Sequence, residues 1–236
     1  MTKPILSKST FLRGLQCLKN LYLYKNHYHL KDAISASQQA IFDQGTDVGA
    51  LAQNLFPNGV DASPPDHFRL QESVAKTKSF IENGETVIYE ATFQHNDVIA
   101  AIDILVKDEN GWTAFEVKSS TEVKDVHIAD AAIQYYTIVN SSIVLNDIAI
   151  VHINNQYVKQ GRININELFT IASVYEKVQS LVIEIPGQID LFKKVIRQNT
   201  EPEIDIGPHC DDPYTCDFKG HCWKHIPDYS IFNIAR

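Results

Sequence analysis

Two periodicities divide the chain. From Ser9 to about Tyr24, residues Phe11, Leu12, Leu15, Leu18 and Leu21 recur at helical spacing, which predicts a helix with Ser9 as its N-cap. A second helix is expected over about 37–55, weakened by Gly45 and Gly49, and a third opens at Pro64, Pro65 and Asp66 and stops at Gly84. The period then changes to alternation. ETVIYEATFQ, VIAAIDILVK and WTAFEVKSS read as three strands separated by HND and DENG. A helix follows over about 127–141, then the apolar strand IAIVHIN, then two helices over about 166–180 and 187–197. The tail from Glu201 is rich in Pro, Cys and Asp and reads as irregular. Tight turns join antiparallel strands, whereas a strand–helix–strand connection allows a parallel partner through a right-handed crossover. The order therefore predicts an α/β or α+β sheet with helices on its faces.

Inside the apolar runs of the second and third strands stand three charged residues, Asp103, Glu116 and Lys118. A buried charge must be paired or bind a metal. Asn110-Gly111 is a favoured two-residue hairpin turn. It would pair Glu109 with Trp112 and set Asp103 opposite Lys118. A four-residue DENG turn would instead set Asp103 opposite Glu116. In both registers the three side chains share one face, because facing direction alternates along a strand. The preceding turn, with Asn96-Asp97 at its centre, places Glu90 opposite Asp103. Three carboxylates and one ammonium then converge, and the carboxylates repel unless cations lie between them. Lys118 supplies one positive charge. A hard divalent ion with oxygen ligands, Mg²⁺ or Mn²⁺, would supply the rest. The plainer alternative is a sheet face held by ordinary salt bridges.

Composition bounds these readings. The 236 residues suffice for one sizeable domain, and 44% apolar with 21% charged residues is globular usage. No apolar run approaches the roughly 18–20 residues that cross a membrane, and MTKPILSKST lacks the apolar core of a secretory signal. A cytoplasmic protein without membrane partners is expected. The net charge of −8 opposes bulk attraction to nucleic acid. Yet Lys3, Lys8, Arg13, Lys19, Lys25 and Lys31 fall in an N-terminal stretch with no acid, beside Tyr22, Tyr24 and Tyr28. This reads either as a solvated helix face or as a local phosphate-contacting surface. Cys17 lies near the N-terminus while Cys210, Cys216 and Cys222 crowd the C-terminus. In a cytosolic protein that pattern suggests metal binding over a disulfide framework.

Asp103 followed by Glu116-Val117-Lys118 resembles the PD-(D/E)XK nuclease signature, with Ile102-Asp103 in place of Pro-Asp. Glu90 falls on the preceding strand, as an extra acid does in RecB-type nucleases, and Gln134-Tyr135 falls on the following helix, where that family carries a Gln- and Tyr-containing motif. The cysteine pattern resembles the iron–sulfur nucleases of the superfamily, which include the CRISPR-associated exonucleases and the AddB-type helicase–nuclease subunits. LSKSTFLRGLQCLKNLYL, QGTDVGALAQNLFP, HIADAAIQYY and IGPHCDDPYTCDFKGHCW most resemble an uncharacterised bacterial domain family related to those exonucleases. In its longer members that domain precedes a second, 3′–5′ exonuclease-like one. The resemblance spans nearly the whole chain and implies a single domain over 1–236 with a restriction-endonuclease-like mixed sheet. Residues 1–30 and 201–236 would form a four-cysteine element joining the termini.

The activity implied is metal-dependent hydrolysis of DNA phosphodiesters, with exonuclease action on single strands or ends. Asp103, Glu116, the Val117 carbonyl and Glu90 would hold Mg²⁺ or Mn²⁺. Lys118 would orient or deprotonate the attacking water or offset charge, and Gln134 would hold the nucleophile or a phosphate. Cys17, Cys210, Cys216 and Cys222 would carry a 4Fe–4S cluster, with zinc as the alternative and His209 and His221 as further zinc ligands. Arg13, Lys19, Tyr22 and Tyr135 would contact nucleic acid. A helicase or second nuclease is the expected protein partner. Two departures stand out. Gly49 occupies the position of the His in Gly-Thr-x-x-His, which lies near the metal in the family. The C-terminal cysteines are spaced Cys-x5-Cys-x5-Cys, wider than the usual Cys-x2-Cys-x5-Cys. The competing reading is a non-catalytic nucleic-acid-binding or adaptor module with a structural cluster.

Overall fold

The computed structural model describes residues 6–66, 69–227 and 229–231. Lys3 of the basic N-terminal run lies outside them. The strands are β1 (Leu6–Ser7), β2 (Val60–Asp61), β3 (Val87–His95), β4 (Val98–Lys107), β5 (Trp112–Lys118), β6 (Leu145–Ile153) and β7 (Phe169–Ser173). The helices are α1 (Lys8–Gln16), α2 (Leu18–Asn26), α3 (Ala36–Ala52), α4 (Leu70–Glu82), α5 (Asp125–Val139), α6 (Ile165–Leu168), α7 (Tyr175–Val182), α8 (Ile185–Ile196) and α9 (Lys219–Cys222). Among the described residues no helix is long and apolar enough to cross a membrane. The chain divides into two compact units. The first takes the residues up to Lys8 together with Ala36–Pro186, and the second takes Ser9–Ser35 with the chain from Gly187 onward.

In the first unit the strands form one seven-stranded mixed sheet in the order β2-β3-β4-β5-β6-β7, with β1 also joined to β4. The β3–β4 hairpin has the expected register, with His95 opposite Val98. Asn96 and Asp97 have φ of 47° and 63°, the left-handed pair that a tight two-residue hairpin requires. The β4–β5 turn takes the four-residue form, since Lys107 pairs with Trp112 and Ile104 with Phe115. The Asn110-Gly111 two-residue turn does not form. Asp108 Oδ1 accepts from the backbone N–H of Asn110 at 2.7 Å and of Gly111 at 3.1 Å, and that local turn outcompetes the tighter one. The crossover through α5 makes β5 and β6 parallel. Residues 169–173, expected inside a helix over 166–180, form β7 antiparallel to β6. The β-branched and aromatic FTIAS fits a pleated edge better than a helix.

Strand alternation divides the core into two layers. Ile104, Phe115, Ala149, Val151 and Phe169 pack with Val48 and Ala52 of α3. The alternate positions Leu105, Ala114, Ile148 and Ile150 are also buried, on the face where α5 lies against β3, β4 and β6. α5 buries residues around its whole circumference, as a helix covered on both sides does.

In the second unit the helix expected over 9–24 is broken into α1 and α2. Cys17 between them adopts an extended conformation, with φ −165° and ψ 124°, while its carbonyl accepts from Leu21 N–H at 3.1 Å. The apolar spacing continues across the break, so the pattern alone does not reveal it. Tyr22, Leu23, Val195 and Phe218 form the buried cluster of this unit. Phe192 packs edge-on against Phe11 at 5.2 Å between ring centres and crowds Gly14, where an added Cβ would stand 2.7 Å from the ring.

Candidate functional site

The candidate site forms where β4 and β5 part. β3 occupies one edge of β4 throughout, and the other edge is shared. β5 pairs with it from Ile104 to Lys107, and β1 pairs with it at Val98 and Ile99. At the fork between these partners sits Asp103. Its Oδ2 accepts from Val117 N–H at 2.6 Å, so a side chain takes up a donor where the ladder opens. Continuing the β4–β5 register sets Asp103 opposite Glu116. Glu90 interrupts the β3 ladder with φ of 54°, a left-handed conformation that costs a non-glycine residue about 1–2 kcal/mol.

Glu116 is the hub. Its Oε1 accepts from Lys118 Nζ at 2.6 Å and from Lys8 Nζ at 2.8 Å, and its Oε2 accepts from Gln134 Nε2 at 2.7 Å. Lys118 also pairs with Asp130 Oδ2 at 2.6 Å. The Gln134 amide reaches Asp130 Oδ1 at 3.4 Å, while its own buried Oε1 has no partner among the described residues. Asp130 and Gln134 are four residues apart on α5 and so lie on one face of it. Glu90, Asp103, Glu116 and Val117 line one side of an open cleft of about 460 Å³, facing Phe42, Gly45, Thr46, Gly49 and Gln53. Among the described residues, nothing beyond the helix's own backbone lies within 4 Å of where a Cβ on Gly45 or Gly49 would stand.

The charges are unbalanced. Among the described residues Glu90, Asp103, Glu116 and Asp130 face only Lys8 and Lys118, which leaves two negative charges uncompensated if all ionise. Burial, then Glu116, pushes the Asp103 carboxyl up to about 8 against the pull of Lys8. Burial also raises Glu90 and Asp130. Burial would raise Glu116 too, but Lys118 and Lys8 hold it below the usual carboxylate range. Burial would lower both lysines. Glu116 and Asp130 override it and raise Lys118 above its ordinary value, and Asp130, Glu116 and Asp103 do the same for Lys8. The acid excess, the oxygen donors and the uncompensated Asp103 suit a hard divalent ion. Among the described residues, however, no group of three or more His, Cys, Asp or Glu side chains is arranged to hold a metal. Both lysines sit on Glu116 Oε1, so an ion taking that oxygen would have to displace one of them.

The sequence reading brought Glu90, Asp103, Glu116, Val117, Lys118 and Gln134 together, and the structure places them together. It missed Lys8 and Asp130. The signal for Asp130 was present, an acid inside the apolar helix HIADAAIQYY one turn before Gln134. Lys8 gave none beyond its membership of the basic run. Tyr135 packs edge-on against Tyr175 at 5.8 Å. Three expected nucleic-acid contacts belong to the second unit and are already engaged there. Tyr22 is core, 3% exposed, so its ring is not offered to a base. Arg13 pairs with Asp217 at 2.6 Å and covers the Tyr24 ring at 4.3 Å. Lys19 pairs with Glu201 at 3.3 Å.

Cys17, Cys210, Cys216 and Cys222 line one small cavity in the second unit with Leu23, His209 and Phe218. All four thiols are free, and they too are not arranged to hold a metal. Cys216 N–H donates to the Cys210 carbonyl at 2.8 Å. Burial pushes the Cys216 thiol up to about 11 and raises Cys222, and the neighbouring cysteines add to both shifts. His221 Nε2 is taken by Glu201 at 3.2 Å.

No protein-family model and no curated protein matches the chain. Among solved structures, the crystal structure of SSO0001 aligns over 86% of this chain and 81% of that chain, with 10% identity and a TM-score of 0.38.

Proposed function

We infer that the first unit is a divalent-metal-dependent phosphodiesterase of the PD-(D/E)XK type, hydrolysing DNA as an exonuclease on single strands or ends. The observation that carries this reading is the placement of Asp103, Glu116 and Glu90 on one cleft wall with Lys118 fixed behind them. A Mg²⁺ or Mn²⁺ ion held by Asp103, Glu116, Glu90 and the Val117 carbonyl would polarise the scissile phosphate and acidify a bound water. Lys118, gripped by Glu116 and Asp130, stays protonated. A lysine so held suits offsetting developing negative charge or orienting the attacking water. Gln134 spends its amide hydrogens on Glu116 and Asp130, so it orients the carboxylate and does not bind a phosphate. The cleft volume falls within the range of about 300–1,000 Å³ usual for small-molecule sites, and the two glycines keep its α3 wall open to a nucleotide.

On the same reading the sheet is restriction-endonuclease-like. The four cysteines of the second unit ligate a 4Fe–4S cluster, or zinc in its place, and a helicase or second nuclease is the working partner. The common cavity supports that ligand set. Thiolate ligation requires loss of protons that burial now favours keeping. One assay tests the whole. Anaerobically purified protein is incubated with Mn²⁺ or Mg²⁺ and end-labelled single-stranded DNA, beside Asp103→Ala and Lys118→Ala. Cleavage by wild type and loss in both variants is expected. Cleavage that survives both substitutions removes the site, and binding without cleavage in all three proteins favours the adaptor reading.

A further inference from the structure

Lys8 has no part in the chemistry above, yet its ammonium stands among the acids. Nζ lies 2.8 Å from Glu116 Oε1 and 3.8 Å from Asp130 Oδ1, and both Asp103 and Glu90 feel its charge. The fold delivers it there. Leu6 and Ser7 of β1 pair with Val98 and Ile99 on the stretch of β4 edge that β5 has left, so the next side chain enters the fork. Glu116 therefore holds two ammoniums on one oxygen and an amide on the other, and Asp103 holds a backbone N–H. The two lysines are not held alike. Lys118 has two contacts of 2.6 Å, to Glu116 and to Asp130. Lys8 has one contact of 2.8 Å and a distant second, on a long side chain 24% exposed. It is the weaker-held of the two cations.

We propose that Lys8 is a tethered stand-in for the divalent cation, neutralising Glu116 in the ion-free protein and leaving it when the ion binds. This rests on the metal-site reading above. Lys8 and the ion then compete for one carboxylate, and removing the lysine has opposite effects on two measurable quantities. Removing a lysine that only ties the fold together would lower ion affinity and stability together. Removing a stand-in lowers the stability of the ion-free protein but raises its affinity for the ion.

The test is calorimetric titration with Mn²⁺ and thermal melting in EDTA, on the full chain as wild type, Lys8→Met and Lys8→Arg. Lys8→Met is expected to melt lower than wild type in EDTA and to bind Mn²⁺ about tenfold more tightly, or about 1.4 kcal/mol. Lys8→Arg, which keeps the charge, is expected to stay near wild type in both. Should Lys8→Met melt below the assay temperature, Lys8→Gln is titrated in its place with the same two outcomes. Equal or weaker Mn²⁺ binding in the neutral variant overturns the stand-in role while leaving the metal site intact. Mn²⁺ binding in neither wild type nor variant overturns both. Binding in the neutral variant alone is the strongest form of the expected result.

Discussion

Asp103→Asn should make the ion-free protein more stable while abolishing its response to divalent ions. Asp103 is half-buried, faces Glu116 and Glu90, and has no cation within salt-bridge distance among the described residues. Its carboxyl is held near 8 against an ordinary 3.8. At pH 7 the folded chain therefore keeps this group protonated, whereas the unfolded chain ionises it. Each pH unit between 3.8 and 7 is worth 1.36 kcal/mol of preference for the unfolded state, an upper bound of about 4 kcal/mol. Asparagine keeps an oxygen for the Val117 N–H, so the gain on substitution should be about 2–4 kcal/mol, or roughly 5–15 °C in melting temperature. The pH profile gives the sign. A raised carboxyl destabilises increasingly as pH rises from about 4 to about 8, so variant and wild type should melt together near pH 4 and diverge up to pH 8. Melting in EDTA across this range measures it. With saturating Mn²⁺ the order should narrow or invert, because only wild type gains. A variant less stable than wild type at pH 8 in EDTA, or a difference that ignores pH, refutes the reasoning.

Glu116→Gln should do the opposite, because it strips a partner from two lysines. The ion-free protein should lose about 2–4 kcal/mol in urea unfolding at pH 7, and a loss below that of a surface mutation would show that Lys8 and Lys118 find other partners. His127 is pushed down to about 4 by burial, then by Lys118 and Lys124, and its neutral Nδ1 accepts from Lys124 N–H at 3.2 Å. Its contribution is present above pH 6.5 and lost as pH falls toward 4. His127→Gln should therefore flatten the acid limb of the melting profile by about 1–2 kcal/mol, partial solvent access to the ring being allowed for. Gly14→Ala drives a Cβ into the Phe192 ring and should cost about 1–3 kcal/mol by overpacking. Pairing it with Phe192→Leu should restore part of the loss in the same denaturation assay.

Register parity made the first-unit site legible in the sequence. The β4–β5 hairpin was open between two turns, and the one that formed moved each pairing by two residues. A shift of two leaves every side chain on its own face, so Asp103, Glu116 and Lys118 stayed together although their partners changed. The Asn96-Asp97 turn was readable because its residues tolerate positive φ. Three features were not readable, two of them because a long-range partner decided the outcome. Residues 169–173 became a strand because β6 offered an edge. The first helix broke at Cys17, inside an apolar period that runs on past the break. Lys8 entered the site only because a two-residue strand docks on β4. Asp130 differs, since it lies in a helix, where strand register says nothing about which charges converge. Tyr22 shows the converse, an aromatic among basic residues that the fold places in the core.

Anomalous diffraction at the manganese edge, from crystals grown with Mn²⁺, would locate the ion. A peak bounded by the Asp103 and Glu116 carboxylates in wild type, missing from Asp103→Asn, is the result expected. Glu116 still bridging Lys8 and Lys118, with no manganese in the fork at saturating concentration, would contradict the metal-dependent site outright.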